Sequence, residues 1–195
     1  MTVDEFLALV SLQPEVRQER TVRVFGPTLR AEIESGQTTI LSDVFNHPDQ
    51  TFERRVFRYR HLTGHGVDES TLVAWECRHE ASLPADLRLL LLRVDGIHLW
   101  ANLDWGRSYF GVSPLSEWQH ASSEQWRSFF GVSAPRSWII SYHDNGDDFL
   151  VLDIEHSEYR WHDLEDFDRP RVVARSVEEL LEWYWAMADT MNPSA

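Results

Sequence analysis

The chain contains no lysine: all 18 basic residues are Arg, against 32 Asp and Glu, for a formal net charge of −14. Phosphate contact needs a basic patch, so nucleic acid is a poor partner for a protein this acidic. A single cysteine, Cys77, is present, which excludes an intrachain disulfide and fits a reducing compartment. No apolar run approaches the roughly 18 residues of a membrane span. The start, MTVDEFLALV, lacks the basic n-region of a secretory signal. The expectation is a cytoplasmic protein, neither membrane-spanning nor secreted. Phosphate loops of the GxGxxG or GxxxxGKS/T type do not occur.

What is present argues for a folded protein. Hydrophobic residues make up 43% of the 195 positions and nine are Trp, too many for a disordered acidic tail. This length supports one good core with room for an appended subdomain. The charge is distributed very unevenly. Between Ser141 and Asp168 ten acids stand against one Arg, so 28 residues carry −9 of the total. Acidic runs this dense are usually disordered. This one is threaded with Phe149, Leu150, Val151, Leu152, Ile154, Tyr159 and Trp161, so a sheet rimmed with carboxylates is expected, a surface that attracts cationic partners.

Residues 1–66 read as an N-terminal extension or accessory subdomain with nearly balanced charge, nine acids and eight Arg. Val3–Val10 and Thr28–Ser35 look helical, Val22–Phe25 and Thr38–Val44 extended, and Glu53–His61 suits either state. Gly64-His65-Gly66 is the candidate hinge to a main domain over 67–190, with 191–195 as a tail. In that domain Asp68–Glu80 is expected to be a helix with Leu72 and Trp75 inward. A second helix begins at Leu83-Pro84, where Pro suits a first turn. Its Leu87, Leu90, Leu91 and Val94 recur at helical spacing, and Gly96 is placed to end it in a left-handed conformation. Strands are expected at Ile97–Leu103 and Tyr109–Val112, and a helix over most of Pro114–Phe130, stopped by Gly131. Strands follow at Ser137–Tyr142, Phe149–Ile154 and Glu158–Trp161, with Asp144-Asn145-Gly146-Asp147 a hairpin signal. Phe149–Ile154 is apolar enough to be interior. The last helix opens with the S-x-x-E capping box of Ser176 and Glu179. One apolar face, Val177, Leu180, Leu181, Tyr184, Ala188 and Met191, runs along it.

The order LPADLRLLLLRVDG, SPLSEWQ, DNGDDFLVLDIE, YRWHDLED, ARSVEELLEWY resembles that of the SUKH superfamily (Smi/Knr-like), best known for cytoplasmic immunity proteins of bacterial toxin systems. The matching features are the LP-initiated helix closed by Asp95-Gly96, the Gly146-Asp147 pair before a crossing strand, and the closing helix from Ser176 to Tyr184. The resemblance covers about Asp68–Ala188. It implies an α+β fold, a mixed, largely antiparallel sheet of about five strands flanked by helices, without catalytic residues.

Other chemistries are weaker. His61 and His65 are four apart, but Gly64 and Gly66 break any helix and there is no HExxH pattern. The Asp144–Asp148 turn lacks the alternating ligands of a calcium loop, and turn formation by Asp and Asn explains it. Cys77 and His79 point apart on a helix, so a small buried thiol is the expectation for Cys77. Paired carboxylates among Asp163, Glu165 and Asp166 have no reason to be shifted on a solvated surface. Trp75, Trp100, Trp118, Trp126, Trp138 and Trp161 are expected to fill the core. The reading is therefore a protein-binding module without enzymatic activity, cofactor or metal, an immunity protein meeting a basic toxin domain. The alternatives are a regulatory scaffold for an endogenous protein, or a metal-dependent hydrolase built on the His and Asp set. The partner surface is placed at Asp104, Trp105, Tyr109, Asp144, Asp147, Asp148, Asp163, Glu165 and Asp166, since aromatics beside acids favour protein contact.

Overall fold

A computed structural model describes residues 1–36, 47–104, 110–121, 136–142, 148–163 and 170–190. The chain starts with α1 (Val3–Leu12), whose Thr2 cap and Glu5 form a reciprocal capping box that satisfies two orphan amides. Phe6 and Val10, one helical turn apart, are its buried face. Strand β1 (Val16–Phe25) and helix α2 (Pro27–Glu34) follow. The Asp49 carboxylate accepts hydrogen bonds from the amides of Thr28 (2.8 Å) and Leu29 (3.1 Å) and so closes the start of α2.

Glu53–His61, ambiguous in sequence, lies within strand β2 (Gln50–Thr63), which pairs antiparallel with β1 along that strand's whole length. Alternation settles it: Phe57, Tyr59 and His61 are buried while Arg58 and Arg60 are exposed, the period of a strand with one buried face. The expected strand at Thr38–Val44 lies outside the described residues.

The Gly64–Gly66 segment is clamped rather than hinged. The Gly64 amide donates to the Gly96 carbonyl at 2.9 Å. A Cβ at Gly64 would lie 1.9 Å from the Asp95 carbonyl oxygen, and one at Gly66 2.1 Å from that of Leu92. These glycines permit a close backbone crossing.

Helix α3 (Glu69–His79) is capped by Asp68, which accepts from the Thr71 amide at 2.7 Å, and buries Leu72 and Trp75 as expected. Helix α4 (Ala85–Arg93) buries Leu87, Leu90 and Leu91. Its cap is Val94 in extended conformation, so Gly96 (φ +93°) serves not the helix end but the turn into β3 (Ile97–Asn102). Strand β4 (Phe110–Val112) completes a four-stranded sheet of order β1-β2-β3-β4.

The helix expected from Pro114 is replaced, within the described residues, by a single 3-10 turn (Leu115–Glu117) and strand β5 (Gln119–His120). Two competing interactions account for this. The Trp118 indole N–H donates to the Ser113 carbonyl at 2.8 Å, and β5 pairs with β6 (Ser137–Tyr142) through Gln119↔Ile139 and His120↔Trp138. The remainder of that segment lies outside the described residues.

Strands β7 (Phe149–Asp153), β8 (Glu158–His162) and β9 (Arg171–Ala174) complete an antiparallel five-stranded sheet of order β5-β6-β7-β8-β9. The expected interior strand is therefore its centre. Leu150 and Leu152 enter the main core, while Phe149 and Val151 join Ile139 in a smaller cluster on the other side, which is why FLVL has no polar alternate. The Ser113 amide donates to the Ile140 carbonyl at 2.8 Å and ties the end of β4 to β6.

The α+β architecture expected from sequence is present, with a second sheet that draws β1 and β2 from the N-terminal block. Helix α5 (Val177–Thr190) closes the core by burying Val177, Leu180, Leu181, Tyr184 and Ala188. Met191 lies outside the described residues. Ser176 Oγ accepts from the Glu179 amide at 3.2 Å, but the Glu179 carboxylate takes the amide of Arg175 at 2.8 Å, one residue earlier than a regular capping box. Asp86, from α4, accepts from the Val177 amide at 2.7 Å and so caps α5 from a second helix. Tyr184 donates to the Gly111 carbonyl at 2.7 Å, pinning α5 to β4.

Candidate functional site

Of the acidic block, Asp148, Asp153, Glu155, Glu158 and Asp163 are among the described residues, and they have different roles. Asp153 is buried and meets His156 and Arg160, each at 3.0 Å, holding the turn between β7 and β8. Glu158 pairs with Arg160 at 2.8 Å and Arg175 at 3.2 Å. The hydrogen bond from Arg160 holds its carboxyl below the ordinary glutamate range. Both acids are structural. Asp148 directly precedes β7 and Asp163 directly follows β8, and the pairing Phe149↔His162 sets them at one end of that hairpin. Asp148 is half-buried and Asp163 exposed. Asp144, Asp147, Glu165 and Asp166, expected beside them, lie outside the described residues.

Asp104 belongs to the other sheet, just past β3. It accepts from the Arg58 amide (2.8 Å) and from the Arg58 guanidinium (3.1 and 2.9 Å), and that guanidinium holds its carboxyl below the usual range. The carboxylate thus holds the edge of β2 beyond the end of β3. Trp105 and Tyr109, proposed beside it as aromatic anchors, lie outside the described residues.

A second feature was not anticipated. Where α3 ends, Trp75, Trp118 and Trp138 cluster edge to face, with Trp75 5.8 Å from Trp118 and 4.7 Å from Trp138. His79 and His120 lie 4.5 and 4.7 Å from the Trp138 ring. Burial, with the charge of Arg78 and the neighbouring His120, holds the His79 imidazole below its ordinary value. Above this cluster opens a cleft of about 550 Å³ with Trp138 among its lining residues, edged by Glu80, Ser82, Arg136 and Glu155, within the size range of ligand sites. Sequence carried a partial signal: Trp75 and His79 are spaced i, i+4 on the face of Leu72. The other walls come from β5, β6 and the β7–β8 turn, an assembly that sequence spacing does not reveal.

Cys77 is exposed, contrary to the expected buried thiol. Two residues past buried Trp75, it is turned about 200° around the helix to the solvent side. His79 points inward, so the two do not meet. His61 is buried with its Nδ1 accepting the Trp100 amide at 2.9 Å, while His65 is exposed. Among the described residues no three His, Cys, Asp or Glu are grouped to hold a metal, and no helix is long and apolar enough to cross a membrane. Five aromatics expected in the core, Trp75, Trp100, Trp118, Trp138 and Trp161, are placed there or partly buried against it. Trp126 lies outside the described residues.

Two antiparallel sheets closed by a C-terminal helix, with acids at strand ends and an aromatic cleft, define an α+β domain. The model of the SMI1 / KNR4 family (SUKH-1) matches residues 66–183, and the chain belongs to that family. Domains of this type are often immunity proteins and are generally not catalytic. No curated protein matches the chain.

Proposed function

We propose that the protein is a non-enzymatic immunity protein that neutralises a basic toxin domain in the cytoplasm. The observation that carries this reading is the concentration of −9 into 28 residues, because self-repulsion opposes such crowding unless something cationic rewards it. Asp148 and Asp163 at one end of the β7–β8 hairpin, with Asp144, Asp147, Glu165 and Asp166 next to them in the chain, are the proposed contact. Asp104, Trp105 and Tyr109 are proposed as further contacts. A nuclease toxin is a physically apt partner, since its active site is basic to hold phosphate and an acidic inhibitor gains steering and complementarity there. In this reading residues 1–66 are an accessory unit to the 67–190 domain, with 191–195 as a tail, and no cofactor takes part.

The test is a titration of the product of the neighbouring open reading frame, assayed as a toxin, with the purified protein. Inhibition should saturate at one equivalent, and the protein should show no turnover of its own on nucleic acid, peptide or ester substrates. A toxin left fully active at several equivalents contradicts the reading.

A further inference from the structure

We propose that the cleft at the C-terminal end of α3 binds a cationic side chain, a guanidinium or ammonium group presented by a protein partner. The proposal rests on the reading of the partner as basic, and names a pocket for one of its residues away from the acidic end of β7–β8. Three observations converge on it. Glu80 and Glu155 stand exposed at the rim, and among the described residues neither forms an ion pair. The cleft also receives the last turn of the 11-residue α3, followed by Glu80 at φ +50°, so the negative end of the helix dipole faces the same space. The inner wall is aromatic. Trp138 carries His79 and His120 against it, and burial disfavours a positive charge on His79.

These groups select against an anion. A carboxylate or phosphate would face two carboxylates and a helix C-terminus, with Arg136 as the one Arg among the described lining residues. A guanidinium meets the reverse: two carboxylate acceptors, helix carbonyls, and imidazole and indole surface along its stem. Arg136 then suits a backbone carbonyl of the same ligand, which favours a residue within a peptide over a free ion.

The probe pair is N-acetyl-arginine amide and N-acetyl-citrulline amide, the latter an uncharged isostere, followed by NMR of the Trp indole and His ring signals in the full chain. The arginine compound should shift the signals of Trp138, His79 and His120 saturably and bind at least ten-fold tighter than the citrulline compound. The double variant Glu80→Gln/Glu155→Gln, at exposed positions, should lose at least ten-fold in arginine-probe binding with an unchanged thermal midpoint. Equal binding of the two probes, no shift at those rings, or full binding by the double variant overturns the proposal. The experiment leaves Asp148 and Asp163, at the other end of the β7–β8 hairpin, unchanged. If no toxin is inhibited, the arginine probe still reports on the cleft; if the probe fails, the inhibition test still stands.

Discussion

Leu181→Ala is expected to destabilise the protein by about 2–5 kcal/mol, the range for a fully buried leucine truncated to alanine. Leu181 is 0% exposed, between Leu180 and Tyr184 on the buried face of α5. That helix packs on β9, β4, α1 and α4, elements fixed by their own hydrogen bonds. With neighbours unable to collapse into the void, the cost includes the cavity as well as the lost transfer energy. Leu89, 63% exposed on α4, is the internal control, and its truncation should change stability by less than about 0.5 kcal/mol. Urea unfolding of both variants checks this. A Leu181→Ala loss as small as that of Leu89→Ala would show that the buried face of α5 is misplaced.

Acidification is expected to remove about 2 kcal/mol of stability by about pH 5 and about 3 kcal/mol by about pH 4 through His61 alone. His61 occupies a bulge: it faces both Leu99 and Trp100, between the pairs Arg60↔Ala101 and Leu62↔His98. Trp100 there takes φ +52°, a left-handed conformation that costs a non-glycine residue free energy. The His61 Nδ1 lone pair accepts the Trp100 amide, and the ring lies 4.2 Å from the Trp100 ring. Protonation would turn that acceptor into a donor, and burial holds the imidazole down at about 4. A folded-state value below the unfolded one means that the unfolded chain binds the proton first. Stability is therefore complete above the unfolded value near 6.5 and is lost as pH falls toward 4. His162, also held at about 4 by burial and by Arg160, adds in the same direction. Asp95, raised by burial, opposes the trend at lower pH. His61→Asn, whose amide oxygen can still accept the Trp100 amide, should lessen the fall between about pH 7 and 5, leaving the part due to His162. Equal wild-type stability at those two values would contradict the account.

The legible parts of the fold are those in which one local signal suffices. Leu87, Leu90, Leu91 and Val94 mark a buried helical face without help from the rest of the chain. The apolar run at Phe149–Leu152 marks a strand covered on both sides, and Ser176 marks a helix start. What sequence leaves open depends on partners distant along the chain. In Glu53–His61, arginines alternate with aromatics in a pattern that only pairing with β1 fixes as strand. From Pro114 onward, helical composition yields to a ladder with β6 and to an indole hydrogen bond to Ser113. The site divides in the same way. Charge density is additive along a sequence, so the acidic block is visible there. That Asp153 and Glu158 fold inward onto Arg160 and Arg175 is not. Nor is the cleft, whose walls His79, His120, Arg136 and Glu155 are separated by up to five strands along the chain.

The central claim is that acids beside the β7–β8 hairpin recruit a basic partner, and association kinetics test it most directly. The triple variant Asp163→Asn/Glu165→Gln/Asp166→Asn removes three charges from the acidic block. Carboxylates at a rim act mainly on the rate of encounter, through long-range attraction that salt screens. Stopped-flow association with the toxin domain should therefore be about ten-fold slower for the variant at low salt. Its salt dependence should be flatter, with dissociation and thermal midpoint nearly unchanged. An association rate equal to wild type at low salt, with the same salt slope, would contradict the account and remove these acids from the encounter surface.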